Sequence, residues 1–420
     1  MPLNYEDSLR FDPLVVEQDN ISYWRDRFEQ RRDLVASPIV AKILTEYYED
    51  DSEHFYEVSY DGMSRRFPVF TKDEWSDVSL DPDHVINSVD EEDWGREHDK
   101  QFIWDTCMQQ ASLALDPDTT RQQIEVRDYV WNNPLYRIDT VHNEPDSKGF
   151  RFDIGMTDYY TYVSQATRIV EELYDHCQRF GVRPESDPEE AKNLLVDRLQ
   201  FRDKIAPSFD SMASEPNHPL GTLVTTMFRM PDGTHYVVLV DRASTTVDYP
   251  DTIGIAPSGV SAPLYDASEE CDLEYLILRE FGEEVFTREE FRRSSEDVDS
   301  KDWITTSAPV RELRRLLRGD GGTDIRVTGF AYNCLSGASQ VSALLYIEDP
   351  TYAEWLYDHV THYDQEMMEG SLRLAEVDDA MRELLKAYDN DESDWAPGAA
   401  VALSQSVNAA ARKENGPNLR

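Results

Sequence analysis

Apolar positions recur at helical spacing through DYYTYVSQATRIVEELYDHCQRF (residues 158–180), with Gly181 as a stop, which predicts a long amphipathic helix. A further helical stretch follows Asn20, with Asp19 or Asn20 as cap and a break near Pro38. Others are expected from about Lys100 to Leu115 and from about Asp187 to Ile205, the latter with Pro188 in its first turn. Period-two alternation marks HFYEVSYDGMSRRFPVF (residues 54–70) as a hairpin turning at Asp61-Gly62. LYRIDTV and FRFDIGM form a second expected strand pair. The acid-rich, polar stretch from Asp73 to Asp99 reads as loop, and no repeat of fixed period is present.

The pattern shifts near Ala206. IAPSFDSMASEPNHPLG is rich in Pro and small polar residues and reads as a linker. The strands TLVTTMFRM and HYVVLVDRA follow, joined by Pro231-Asp232-Gly233, and IGIAPSGV leads to a helix containing CDLEYLILREFGEEVF. Thr287 to Glu290 has capping-box form and marks another helix start, and VRELRRLLRG is helical. DIRVTGFAYNC and QVSALLYIED read as strands, with helices near Tyr352–Val360, Val377–Tyr388 and Ala396–Arg412. The order predicts an α+β protein in two parts: a mixed α/β accessory domain over 1–205, and over 206–420 a mixed sheet flanked by helices.

Composition bounds the chemistry. The 420 residues include 84 acidic and 41 basic ones, a formal net charge of −43, with 40% hydrophobic and 11% aromatic residues. That aromatic content argues against wholesale disorder. The acid is spread along the chain and Lys is scarce, the pattern of a protein bathed in molar salt, as in a halophilic archaeon. At about 1 M salt the Debye length falls to roughly 3 Å and self-repulsion is screened. Acidity serving mimicry of nucleic acid is the alternative. No apolar run approaches membrane-spanning length, and the start MPLNYEDSLRFD lacks the features of a secretory signal. Cys107, Cys177, Cys271 and Cys334 lie far apart, without a CxxC pair. A cytoplasmic protein without a membrane partner is expected. The charge also sets the chain against non-specific attraction to nucleic acid, although RELRRLLR gathers several Arg on one helix.

One constellation carries chemistry. In Arg279-Glu280-Phe281-Gly282-Glu283-Glu284, the three glutamates at i, i+3 and i+4 share one helical arc, beside a stripe of Ile277, Leu278, Phe281 and Val285. Like charges so spaced oppose a helix by a few tenths of a kcal/mol per pair, roughly, and a divalent cation reverses the penalty. Mg²⁺ (or Mn²⁺) suits carboxylate oxygens together with substrate phosphates. Arg279 is placed to pair with a carboxylate and orient it.

These residues resemble the Nudix superfamily, whose signature runs Gly, five residues, Glu, seven residues, then Arg-Glu-apolar-any-Glu-Glu-any-Gly-apolar. Arg279, Glu280, Phe281, Glu283 and Glu284 match its second half without a gap. Arg242 closes HYVVLVDR, as basic residues often do there, and Gly259 stands as the turn glycine. The resemblance covers roughly residues 218–350. The departures are Cys271 at the position of the first box Glu, with Glu269 and Glu270 beside it, a longer spacing from Gly259, and Phe286 in place of the final Gly. The resemblance implies a Nudix-like α/β/α sandwich in the C-terminal half. It also implies Mg²⁺ held by Glu280, Glu283 and Glu284, and catalysis by Glu283, Glu284 and Arg279. Arg242 and Gly259 would meet a nucleotide-type substrate. The expected activity is hydrolysis of a nucleoside-diphosphate-linked substrate. The alternative is a catalytically idle Nudix-like sensor, regulatory or assembly protein.

Other motifs read as structural. His359 and His362, at i, i+3 on a helix, have metal-ligand spacing but no third ligand motif, and are expected to be exposed polar residues. DVDSKD and DNDESD lack the Gly and Glu of a calcium loop, and PSGVS and CLSGAS miss the G-x-S-x-G elbow. Cys271 is expected to be a small packing residue. Trp104, Trp131, Tyr159, Tyr160 and Tyr162 are expected in the core.

Overall fold

The computed structural model describes residues 9–36, 38–48, 54–116, 118–143, 148–183, 185–195, 198–205, 218–243, 246, 249, 251–264, 266–286, 307–319, 321–362, 366–367, 370–386, 395–413 and 416–417. The first part of the chain gives β1 (Leu14–Glu17), α1 (Gln18–Ala36), α2 (Pro38–Tyr47), β2 (Phe55–Tyr60), β3 (Met63–Phe70), β4 (Ser76–Leu80), β5 (Ile86–Trp94), α3 (Lys100–Ala114), β6 (Arg121–Ile124), β7 (Pro134–Asn143), β8 (Phe150–Asp158), α4 (Tyr159–Phe180), α5 (Pro188–Leu195) and α6 (Gln200–Ile205). The second part opens with β9 (His218–Pro219), β10 (Gly221–Arg229), β11 (His235–Arg242), β12 (Ile253–Ile255), β13 (Ser258–Val260), α7 (Ala267–Glu270) and α8 (Leu273–Val285). It continues with α9 (Ala308–Leu317), β14 (Asp324–Asn333), β15 (Ser339–Ile347), α10 (Pro350–His362), β16 (Glu366–Met367), β17 (Gly370–Glu376), α11 (Val377–Lys386) and α12 (Pro397–Ala410). The protein is α+β.

Local chemistry sets the better-read elements. Asp61 and Gly62 both take positive φ (49° and 76°) at the β2–β3 turn, which Gly tolerates freely and Asp more readily than most residues. Asp158 caps α4 by accepting from the Thr161 amide at 2.9 Å, and Gly181 ends the helix at φ 70°.

The large sheet runs β16-β17-β11-β10-β15-β14-β3-β2, with β12 on β11, β13 on β10 and β4 on β14. It is mixed: β10 and β15 are parallel, whereas β10–β11 and β14–β15 are antiparallel. Beyond their hairpin, β10 and β11 diverge and the next segment enters the wedge. Leu239–Asp241 pair with Ile253–Ile255, and Gly221–Leu223 pair with Ser258–Val260. Both faces of this sheet are covered by helices. Val224, Phe228, Val238, Val240, Ala343 and Leu345 pack with α8, α9 and α10, while Met227, Val237, Leu239, Leu344 and Tyr346 pack with α11 and α12.

The sheet draws on both sides of position 205. Tyr332 and Asn333 of β14 pair with Phe70 and Val69, and Val327 and Gly329 pair with Leu80 and Ser76. A second sheet, β5-β8-β7-β9, lies in the same hydrophobic cluster as β14: Phe150 and Phe152 meet Phe330 with ring centroids 5.8 and 4.9 Å apart. Beside it, α1, α3 and α4 share a buried polar knot in which Glu171 accepts from Arg27, from Arg31 at 2.9 Å and from Gln109 at 3.2 Å.

Several expectations are corrected. Residues 73–99 are not a loop throughout: β4 forms because β14 supplies its ladder, and β5 pairs in parallel with β8. The helix expected over 187–205 is two helices. Glu172 of α4 accepts from the Phe201 and Arg202 amides at 2.8 and 3.0 Å, satisfying donors at a fresh helix start. The strand β17, which no local pattern predicts, forms because β11 supplies its ladder, Tyr236 to Arg242 pairing with Glu376 to Gly370. Trp131 is 51% exposed rather than core, while Tyr160 and Tyr162 are buried. The linker proper (206–217), the capping box at 287–290 and the acidic runs at 297–302 and 389–394 lie outside the described residues. Among the described residues no helix is long and apolar enough to cross a membrane.

Candidate active site

The acidic helix α8 starts cleanly: Asp272 accepts from the Tyr275 amide at 2.7 Å. Its apolar stripe of Ile277, Leu278, Phe281 and Val285 is fully buried in the cluster on one face of the large sheet, as the spacing predicts. That packing turns the polar arc toward β13 and the segment after it.

Arg279 is only 2% exposed and Glu280 8%. The Arg279 Nη2 donates to Glu280 Oε1 at 2.9 Å, and its Nη1 donates to the Ala262 carbonyl at 2.5 Å. Glu283 Oε1 lies 3.8 Å from Arg279 Nε, with its side chain 41% exposed. Burial alone would lower the Arg279 pKa, but Glu280 and Glu283 outweigh it and hold the guanidinium above its ordinary value. On the other oxygen of Glu280 sits Gly259: a Cβ there would stand 3.1 Å from Oε2. The Ser258 amide donates to both oxygens of Glu284, at 3.1 and 3.0 Å. Two carboxylates four residues apart on α8 therefore reach the same dipeptide, Ser258-Gly259, held in the wedge between β10 and β11.

The structure thus brings together Arg279, Glu280, Glu284 and Gly259, with Glu283 at the rim. Arg242 ends β11, with its Cδ lying 3.6 Å from the Cβ position of Gly254. Among the described residues no group of three or more His, Cys, Asp or Glu is gathered closely enough to hold a metal ion. What α8 offers is two converging carboxylates, a number that fits Mg²⁺, which commonly takes one or two from a protein. One arginine against three glutamates leaves a local excess of negative charge that a cation would offset.

Two departures from the resemblance have structural explanations. Phe286 fills a pocket, with its ring centroid 5.4 Å from Phe281, 5.5 Å from Trp355 and 5.3 Å from His359. Cys271 is buried, and burial pushes its thiol pKa up, which suits a packing residue. Beside it, Glu270 accepts from the Leu264 and Asp266 amides at 2.9 and 2.7 Å and so braces the loop after β13. His359 is buried rather than exposed. It donates from Nε2 to the Val285 carbonyl at 3.1 Å and stacks on Trp355, whereas His362 is exposed, so the two do not form a metal pair.

Sequence reasoning missed the Ser258 amide, the Ala262 carbonyl and Tyr136, whose phenol donates to the Ala267 carbonyl at 2.8 Å. The first two are backbone groups, which no side-chain motif announces, and the third comes from the distant strand β7. No family model matches the sequence, and no curated protein matches it.

Proposed function

We propose that the C-terminal half, residues 206–420, is a Nudix-like unit, its sheet extended by β2, β3 and β4, that hydrolyses a diphosphate bond in a nucleoside-diphosphate-linked substrate. The observation that supports this reading is the convergence of Glu280 and Glu284, two of the helix carboxylates of the resemblance, on Ser258-Gly259, which contains its turn glycine. Glu280 and Glu284 would hold a Mg²⁺ ion, with Glu283 beside them. Such an ion polarises a phosphoryl oxygen and lowers the pKa of water. Arg279 fixes one oxygen of Glu280 and leaves the other directed at the turn. Ser258 orients Glu284 through its amide. Glu283, the most exposed of the three, is placed to take the proton from the attacking water, a role typically worth 10²–10⁴-fold, roughly. Arg242 and Gly259 remain the proposed substrate contacts.

The test is Glu284→Gln and Glu283→Gln in molar KCl with Mg²⁺ and a panel of nucleoside-diphosphate-linked substrates. Turnover should fall by about 100-fold or more in each variant. Unchanged turnover would remove those residues from the mechanism.

A second reading is favoured by the engagement of the same carboxylates within the fold: Glu280 is held by Arg279 and Glu284 by Ser258, and Phe286 packs where the box has glycine. In that reading the chain is a catalytically idle ligand sensor or assembly module. It is separated from the first by nucleotide raising the melting temperature without any product forming.

A further inference from the structure

The loop joining β13 to α8 is fastened at several of its described residues. Arg279 holds the Ala262 carbonyl, and Glu270 holds the Leu264 and Asp266 amides. These clasps come from α7 and α8, next to the loop in sequence. A further one does not. Tyr136, in β7 of the first half of the chain, is fully buried and touches the loop at both ends. Its amide donates to the Ser261 carbonyl at 3.0 Å, and its phenol donates to the Ala267 carbonyl at 2.8 Å. Its own carbonyl accepts from the Leu220 amide at 2.8 Å, and the Leu220 carbonyl accepts from the Ser261 amide at 2.8 Å, closing a ring of backbone bonds at the entry to β10. Val260 and Ala262 also pack against the cluster that contains Tyr160 and Tyr162 of α4.

We infer that Tyr136 is a positioning residue through which the first half of the chain sets the 258–267 loop, and with it Ser258-Gly259, against the carboxylates of α8. The inference rests on the proposed role of that turn and extends it: the accessory half of the chain becomes part of the apparatus that shapes the site. Without the phenol, the Ala267 carbonyl at the start of α7 keeps only the Cys271 amide, 3.1 Å away. The change then reaches Glu270, whose two oxygens hold the middle of the loop. Its influence on Glu280 and Glu284 passes through the loop, where Ala262 meets Arg279 and Ser258 meets Glu284.

Tyr136→Phe in the full chain, in molar KCl, removes one donor and keeps the ring. Tyr352→Phe serves as its control, since Tyr352 is likewise buried and donates to the Pro309 carbonyl at 3.2 Å, away from the loop. Hydrogen exchange across 258–267 should be about fivefold faster in Tyr136→Phe and unaltered in Tyr352→Phe. Mn²⁺, titrated alone, should bind the Tyr136 variant several-fold more weakly than the wild type. Unchanged loop exchange, equal acceleration in the control, or unaltered Mn²⁺ affinity beside a loosened loop would each overturn the inference. If wild-type protein binds no Mn²⁺ while the loop still loosens, the metal reading fails and the clasp by Tyr136 stands.

Discussion

Gly259 has little room to change. An alanine there would press its Cβ to 3.1 Å from a Glu280 oxygen that Arg279 already fixes through the other side of the carboxylate. Gly259→Ala should lower stability by about 1 kcal/mol, measurable by denaturant unfolding, and should weaken Mn²⁺ binding. Asp158 is the other residue with a sharp expectation. It is fully buried, with both oxygens on His98 Nε2 at 2.9 and 2.8 Å. Burial alone would raise its pKa, but His98 and the Thr161 amide outweigh it and hold the carboxyl below its ordinary value. A depressed acid adds stability that is complete above the unfolded pKa, near 4, and is lost as pH falls through the folded value. Asp158→Asn keeps a capping oxygen but removes the charge. Its unfolding free energy at pH 7 should fall, and the gap to wild type should narrow as pH drops below about 4. At this scale the sequence exposed the side chains of the candidate site, because Arg279, Glu280, Glu283 and Glu284 fall within one short stretch. It did not expose Tyr136, whose contacts lie across the fold.

Elements with strong internal signals were readable in advance. The long helix α4 has its periodicity, cap and stop within its own residues, and the β2–β3 and β10–β11 hairpins carry their turn chemistry. Elements that depend on a remote partner were not readable. β4 and β5 are polar segments whose strand form comes from hydrogen bonds with β14 and β8, and α6 begins where a glutamate of α4 meets its amides. The helix α3 carries a testable tension. Burial, with Glu171 nearby, pushes the Asp105 pKa up to about 6, against the hydrogen bond from Gln101 and the charge of Arg27. Here the folded state holds a proton that the unfolded chain releases, so stability declines as pH rises from about 4 to about 6. Asp105→Asn should be more stable than wild type above pH 6 by about 1 kcal/mol, after allowing for solvent screening, with no gain at pH 4. Thermal unfolding across that range would show it.

For the molecule as a whole, a net charge of −43 sets the conditions under which any of these measurements makes sense. Raising KCl from 0.1 M to about 1 M shortens the Debye length from about 10 to about 3 Å, and the melting temperature should rise by roughly 10 °C. A flat response would count against the halophilic reading. The α+β class was legible from the alternation of strand and helix signals, and so was a sheet with helices on both faces in the second half. The contribution of β2, β3 and β4 to that sheet was not, since no local pattern records which distant strand will complete a ladder.

That distant pairing bears on biosynthesis. A ribosome releases residues 55–80 long before it reaches 324–333, a delay on the order of tens of seconds at ordinary translation rates. During that interval the hairpin and the strand after it wait beside the tunnel exit with bonding edges unmatched. The nascent chain must therefore be kept from self-association until its late strands emerge, a task suited to the acidic runs that flank the hairpin, Glu49-Asp50-Asp51 with Glu53 before it and Asp73, Glu74 and Asp77 after it.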